Sequence, residues 1–167
     1  MKKIPFCAFF LVVVMLVTPQ QSVAAVSFFD NGKAKVELPN SLSISTEPDG
    51  SLIAMFGKSG DHKLEITHNV VPGAAADSDA GFKFVKDQAI KKGLKAKELN
   101  GKTVLMQTGG EIKKEGVTYR IVHWQIGVGR SVFVVTITAP MPMSSDLNNF
   151  LGIPLNDLIQ SISASGP

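Results

Sequence analysis

His62, His68 and His123 are the only imidazoles in the chain, and so the first candidates for proton transfer or metal ligation. None stands in a His-Glu-x-x-His pattern. His62 and His68 share strand parity with Leu64 and Ile66, so they project from one face, about 20 Å apart along an extended strand. One metal ion cannot take both. His123 could meet His68 only across strands, and a hydrolase or metal site built from that pair with neighbouring carboxylates needs both rings within about 4 to 5 Å of a common point. The competing reading is that all three are satisfied interior or rim histidines.

The other chemical motifs are incomplete. Serine hydrolysis needs a nucleophile, a base and an oxyanion hole; there is no Gly-x-Ser-x-Gly elbow, and no serine has a lysine three residues later. Gly57-Lys58-Ser59 and Gly101-Lys102-Thr103 carry only the second half of a phosphate-binding loop, because Leu52 and Ala96 occupy the places of the first glycine. Both read as turns between strands. Gly127-Val128-Gly129-Arg130 reads as a hairpin turn too, since a strand follows where a dinucleotide fold needs a helix. Asp77 and Asp79 form a carboxylate pair suited to acid/base work, but their place just before a helical run favours capping.

The elements that would have to position these residues are predominantly strands. Val36–Pro39 and Leu42–Ser45 alternate around Asn40-Ser41, consistent with an opening strand pair or one bent strand. Ser51–Gly57 and His62–Val71 read as a hairpin, ended by Pro72-Gly73. Ala80–Lys92 is helical in composition, with Phe82, Val85 and Ala89 on one stripe, Lys83, Asp87 and Lys91 on another, and Gly93 as its stop. Strand-like segments follow at Ala96–Leu99, Thr103–Thr108, Glu111–Lys114, Val117–Ile126 and Ser131–Ala139, separated by Asn100-Gly101, Gly109-Gly110, Glu115-Gly116 and the Gly127–Gly129 turn. The last two are apolar at both parities, which predicts helices over both faces of the central sheet. Trp124 and Tyr119 read as core residues of a central strand rather than interface anchors. Ser144-Ser145-Asp146 is placed to cap a final helix, split at Pro154, with Leu155, Leu158, Ile159 and Ile162 on one face. The predicted class is α+β, an antiparallel sheet with helices packed on it.

Lys2 and Lys3, the apolar run Ile4–Val17, Pro19 and the small residues Ser22–Ala25 have the order of a cleavable secretory signal. The expected organisation is therefore a signal peptide over 1–25 and one domain over 26–167. Cys7, the only cysteine, lies before the apolar run rather than at its end, so it is not placed for lipid attachment, and the mature domain has no thiol chemistry or disulfide. Losing Lys2 and Lys3 leaves 15 basic residues against 14 acidic ones, which does not support nucleic-acid binding. Charge is concentrated between Lys83 and Lys102, where seven lysines face two acids. Such runs are usually solvated faces; the sharper reading makes Lys83, Lys86, Lys91, Lys92, Lys95 and Lys97 contacts to an acidic partner or to anionic headgroups.

Asp30-Asn31-Gly32-Lys33 leading into Val36-Glu37-Leu38-Pro39 resembles the opening strand of the DcrB-like proteins of bacterial envelopes, which belong to the PsbP-like fold. Glu98-Leu99-Asn100-Gly101-Lys102, the Gly116 turn and Val134-Val135-Thr136-Ile137-Thr138-Ala139-Pro140 are similar to that family's second half. The resemblance spans nearly all of residues 28–163. It implies a PsbP-like α/β/α sandwich and a periplasmic, non-enzymatic binding or accessory protein contributing to envelope integrity or membrane homeostasis, with no cofactor, metal or catalytic residue. The alternative is an immunity protein that neutralises a periplasm-targeted toxin by direct binding. The DcrB-like lipobox cysteine is missing here, so the expected form is free in the periplasm.

Overall fold

A computed structural model describes residues 25–29, 34–39, 42–57 and 59–164. Most of the expected signal segment lies outside them, as do Asp30–Lys33 and Asn40-Ser41. Seven strands form one antiparallel sheet in the order β3 (Ser43–Thr46), β4 (Leu52–Phe56), β5 (His62–Val70), β9 (Ser131–Pro140), β8 (Val117–Val128), β7 (Lys102–Lys114) and β6 (Lys97–Leu99). β4 and β5 are the hairpin their alternation predicts, with Phe56 opposite His62 and Leu52 opposite Ile66. After β5 the chain crosses one face of the sheet as α1 (Ala80–Lys91), reaches the far edge at β6, and returns as a β6-β7-β8-β9 meander that closes against β5.

The central strands are apolar on both sides because both are covered, as expected from their double parity. On one face Trp124, Ile126, Phe133, Val135 and Ile137 join Leu64 and Ile66 in the main core. That core is closed by α2 (Ser145–Leu151), α3 (Ile153–Ser161) and a second sheet, β1 (Ala25–Phe29), β2 (Ala34–Leu38) and β10 (Ser163–Ala164), ordered β1-β2-β10. Trp124 is 7% exposed within it, the core role its strand position predicts. On the other face Val85 and Ala89 of α1 meet Leu105 and Val132.

Several local expectations need correction. β2 and β3 do not pair: β2 joins β1 and β10, while β3 edges the large sheet. Gly109-Gly110 is not a turn but the place where one continuous β7 shifts register against β8, between Thr108 and Glu111. A Cβ on Gly109 would come within 2.8 Å of the Ile121 carbonyl oxygen, so glycine lets the bulged strand stay close to its neighbour. The buried stripe of α1 is Gly81-Val85-Ala89 rather than Phe82-Val85-Ala89. Phe82 is half-buried beneath Lys86, whose ammonium sits 4.3 Å from its ring centroid. Asp79 occupies the N-cap of α1 but its side chain makes no cap bond; the first turn is held instead by the Gly81 N–H donating to Gly129 O at 2.8 Å. Ser144 does cap α2, its Oγ accepting from Leu147 N at 3.1 Å.

Candidate functional site

The sheet separates the histidines. His68 is in register with Phe133 and lies on the main-core side, where its Nε2 is 2.9 Å from Ser131 Oγ and its ring centroid 4.7 Å from that of Phe133. His123 is in register with Thr136, one position out of phase with the core residues Val135 and Ile137, so it lies on the opposite face, with Nδ1 2.9 Å from Thr136 Oγ1. Two rings on opposite faces cannot share an ion, and that hydrolase or metal site does not exist in this fold. Among the described residues there is no group of three potential metal ligands.

A different constellation, invisible in the spacing, brings Asp61, His62 and Ser144 together. His62 Nε2 is 2.8 Å from Ser144 Oγ, and Nδ1 is 2.5 Å from Asp61 Oδ1. The residue types are those of a nucleophile, base and orienting acid. Their arrangement is structural. Ser144 Oγ already accepts the Leu147 N–H as the cap of α2, the Nδ1 contact is not aligned as a hydrogen bond, and His62 is only 2% exposed, its ring 5.1 Å from that of Phe56. The His62–Ser144 hydrogen bond thus ties the start of β5 to α2. Ser144→Ala is expected to lower unfolding free energy by about 1–2 kcal/mol, the loss of a cap plus a buried ring nitrogen left without its partner. Ser144→Asp, which keeps the cap acceptor, should recover part of it; paired urea titrations measure both, and ester hydrolysis that vanishes in Ser144→Ala would reassign the cluster to catalysis.

The lysine run divides in two. On α1, burial of Gly81, Val85 and Ala89 turns Lys83, Lys86 and Lys91 outward, and Lys95 is exposed just beyond the helix. Lys86 Nζ pairs with Glu98 Oε1 at 2.9 Å, and Lys92 Nζ donates to Gln107 Oε1 at 2.5 Å. Lys83, Lys91 and Lys95 carry no ion pair among the described residues. Between these cations lie Phe84, Ile90 and Leu94, with Ile90 76% exposed. Lys97 and Lys102 belong elsewhere: Lys97 is in register with Val104 and that with Ile126, which places it on the face opposite α1. Lys102 is buried and donates to Gln160 O of α3 at 2.5 Å, and burial pushes its ammonium below the ordinary lysine value. Sequence alone shows the run; only strand register shows which lysines share a face.

Three concavities border these elements. One of about 490 Å³ is lined by Leu42, Phe56 of β4, and Asp146 and Phe150 of α2, the two phenylalanine rings touching at 4.5 Å between centroids. One of about 550 Å³ is lined by Phe29, Asp49, Ser51 and His68 among others; at its rim Ser51 donates from N and Oγ to Asp49 Oδ1 and holds that carboxyl below its ordinary value. The third, about 270 Å³, lies beside α1 against β5 and β9.

The fold is that of an α+β sheet protein with helices on both faces, and the surface that combines exposed cations with exposed apolar groups is that of α1. No family model and no curated protein matches the chain. Solved structures do. A Bacteroides thetaiotaomicron VPI-5482 protein is similar at a TM-score of 0.61 and 14% identity, over 85% of this chain and 48% of that one, so the chain spans about half of its length. The Saccharomyces cerevisiae Ran-binding protein Mog1p is similar at 0.50 and 10% identity, over 86% of this chain and 96% of that one. The cyanobacterial PsbP (CyanoP) of Synechocystis sp. PCC 6803 aligns at 0.37 and 11% identity, over 86% and 93%. At these identities the likeness to the first two is one of fold. Among the described residues no helix is long and apolar enough to cross a membrane.

Proposed function

We propose that this chain is an exported, periplasmic, DcrB-like accessory protein that serves the cell envelope by binding an acidic protein partner through the outward face of α1, with residues 1–25 removed as a signal and no chemistry of its own. The carrying observation is the composition of that face: Lys83, Lys91 and Lys95 without ion pairs among the described residues, interleaved with exposed Phe84, Ile90 and Leu94. An apolar cluster rimmed by one sign of charge marks an interaction surface, and its charge selects an opposite partner. The fold is compatible with such a role, since Mog1p, similar across almost its whole length, is a Ran-binding protein by name. Lys97, on the other face, is outside the proposed surface.

The test is crosslinking in intact cells with a C-terminally tagged chain, followed by mass spectrometry, for the native protein and for Lys83→Glu/Lys91→Glu/Lys95→Glu. One dominant envelope protein should be captured by the native chain, and its affinity for the purified triple variant should fall by about tenfold or more, because reversed rim charges now repel it. Undiminished binding by the variant would refute the α1 face, and a specific turnover abolished by a point substitution would refute the non-catalytic reading. The captured partner's identity separates an accessory factor from an immunity protein.

A further inference from the structure

We infer that the open edge of β7 pairs with the same edge of a second copy, Glu111 opposite Lys113 in antiparallel register, so that two seven-stranded sheets join into one. This goes beyond the partner binding proposed above and does not depend on it. β6 covers β7 only from Lys102 to Val104. Beyond that the outer side of β7 has no strand beside it among the described residues, and every residue from Gly110 to Val117 is exposed. The backbone groups that face out are fixed from the neighbouring strand. Thr118 O accepts from Met141 N, so Thr118 turns away from β7, while Val117 and Tyr119 on either side of it turn toward β7. Their partners Lys114 and Ile112 are therefore bonded inward, and Glu111 and Lys113 present N–H and C=O outward.

An unpaired edge is a template for another strand and is usually blunted by charge. Here the charges alternate in an order that is its own complement. Antiparallel pairing of two identical edges brings together only outward-facing residues, which leaves Glu111 opposite Glu111, Lys113 opposite Lys113, or Glu111 opposite Lys113. The first two registers oppose like charges. The third makes the Glu111–Lys113 pair twice about a two-fold axis, with four backbone hydrogen bonds. Lys114 then comes opposite Gly110, so no like charges meet across the seam. Lys113 has no ion pair among the described residues, and Glu111 holds Arg120 Nη2 through Oε1 at 2.8 Å, which leaves its second oxygen for Lys113 of the other copy. Charge therefore alternates in sign across three strands. Ile112 falls on the axis opposite Ile112 of the second copy, in a pair without mutual hydrogen bonds, where side chains approach most closely. It is 46% exposed in the single chain, and Tyr119 beside it on β8 extends the apolar row.

The test is sedimentation equilibrium of the purified protein up to about 1 mM, because a contact of one strand pair lies at the small, weak end of interfaces. The native protein should approach twice its monomer mass. Glu111→Lys and Lys113→Glu each set like charges across the seam and should weaken association by about tenfold or more. Mixed together, the two variants should associate again, since the lysine edge of one meets the glutamate edge of the other. Both substitutions are at exposed positions, and circular dichroism verifies the fold. Amide exchange at Glu111 and Lys113 should slow as concentration rises, with less change at Ile112 and Lys114, which are already bonded within the hairpin. A native protein that stays monomeric, single variants that associate undiminished, or a mixture that fails to recover would each overturn the pairing. Capture of an envelope protein that is lost on Glu111→Lys, without native self-association, would give the edge to that protein and overturn it as well. Lys83→Glu/Lys91→Glu/Lys95→Glu should self-associate as the native chain does, so the β7 edge and the α1 face stand or fall separately.

Discussion

Gly81→Ala is expected to destabilise the protein by about 3 kcal/mol, although alanine is the better helix former by roughly 1 kcal/mol. The sign comes from packing. Gly81 is buried where α1 crosses the β8-β9 turn, and a Cβ there would run into the Ser131 carbonyl oxygen and sit 3.0 Å from Gly129 O. Gly127 faces it from β8, where an added Cβ would clash with the Gly81 carbonyl and come within 2.8 Å of Phe82 N. These are backbone atoms that no rotamer change can move aside, so the first turn of α1 would have to lift, losing the Gly81 N–H to Gly129 O bond and loosening Val85 and Ala89. Urea unfolding followed by circular dichroism measures the effect. Gly110→Ala is the control: nothing lies within 4 Å of its added Cβ, and it should stay within about 0.5 kcal/mol. A neutral or stabilising Gly81→Ala would mean that the helix does not sit on the sheet this closely. Because α1 carries the proposed binding face, the same variant should weaken the partner even though residue 81 itself is buried.

This contact also shows where sequence reading reached its limit. The β4-β5 hairpin, the capped and proline-split C-terminal helices and the two-sided burial of β8 and β9 were legible because each rests on local periodicity or on turn and cap chemistry. Gly81 and Gly127 look like ordinary glycines, and their meaning exists only once a helix lies across a strand. The same holds for β10 pairing with β2 and for His62 reaching Ser144, 82 residues away. The lysine run was visible, but the parity that sends Lys97 and Lys102 to the other face depends on registers set by the whole meander. The separation of β2 from β3 follows from burial: Val36 and Leu38 join the main core from the small sheet, whereas Ser43 and Ser45 of β3 are exposed at the edge of the large one.

Phe133→Ala should be costlier still, about 3–5 kcal/mol, the range for removing a fully buried aromatic ring. Phe133 is 0% exposed near the start of β9. Its ring meets Phe29 of β1 edge-on at 5.7 Å and His68 of β5 at 4.7 Å, and Phe29 and His68 are themselves 5.8 Å apart. One ring therefore joins the large sheet to the small one, and truncating it opens a cavity and removes the surface on which Phe29 packs. Chemical and thermal unfolding should both register the loss, with a midpoint lower by roughly 10 °C or more. Phe84→Ala provides the contrast: that ring is 41% exposed on α1, and its removal should move stability by less than about 1 kcal/mol while weakening binding of the partner captured by crosslinking. Two phenylalanines, truncated alike, would then separate the interior that maintains the fold from the surface that the fold holds out to a partner. A Phe84→Ala variant as unstable as Phe133→Ala would show instead that this ring is part of the core, and would remove the physical basis for treating the outward face of α1 as a binding surface.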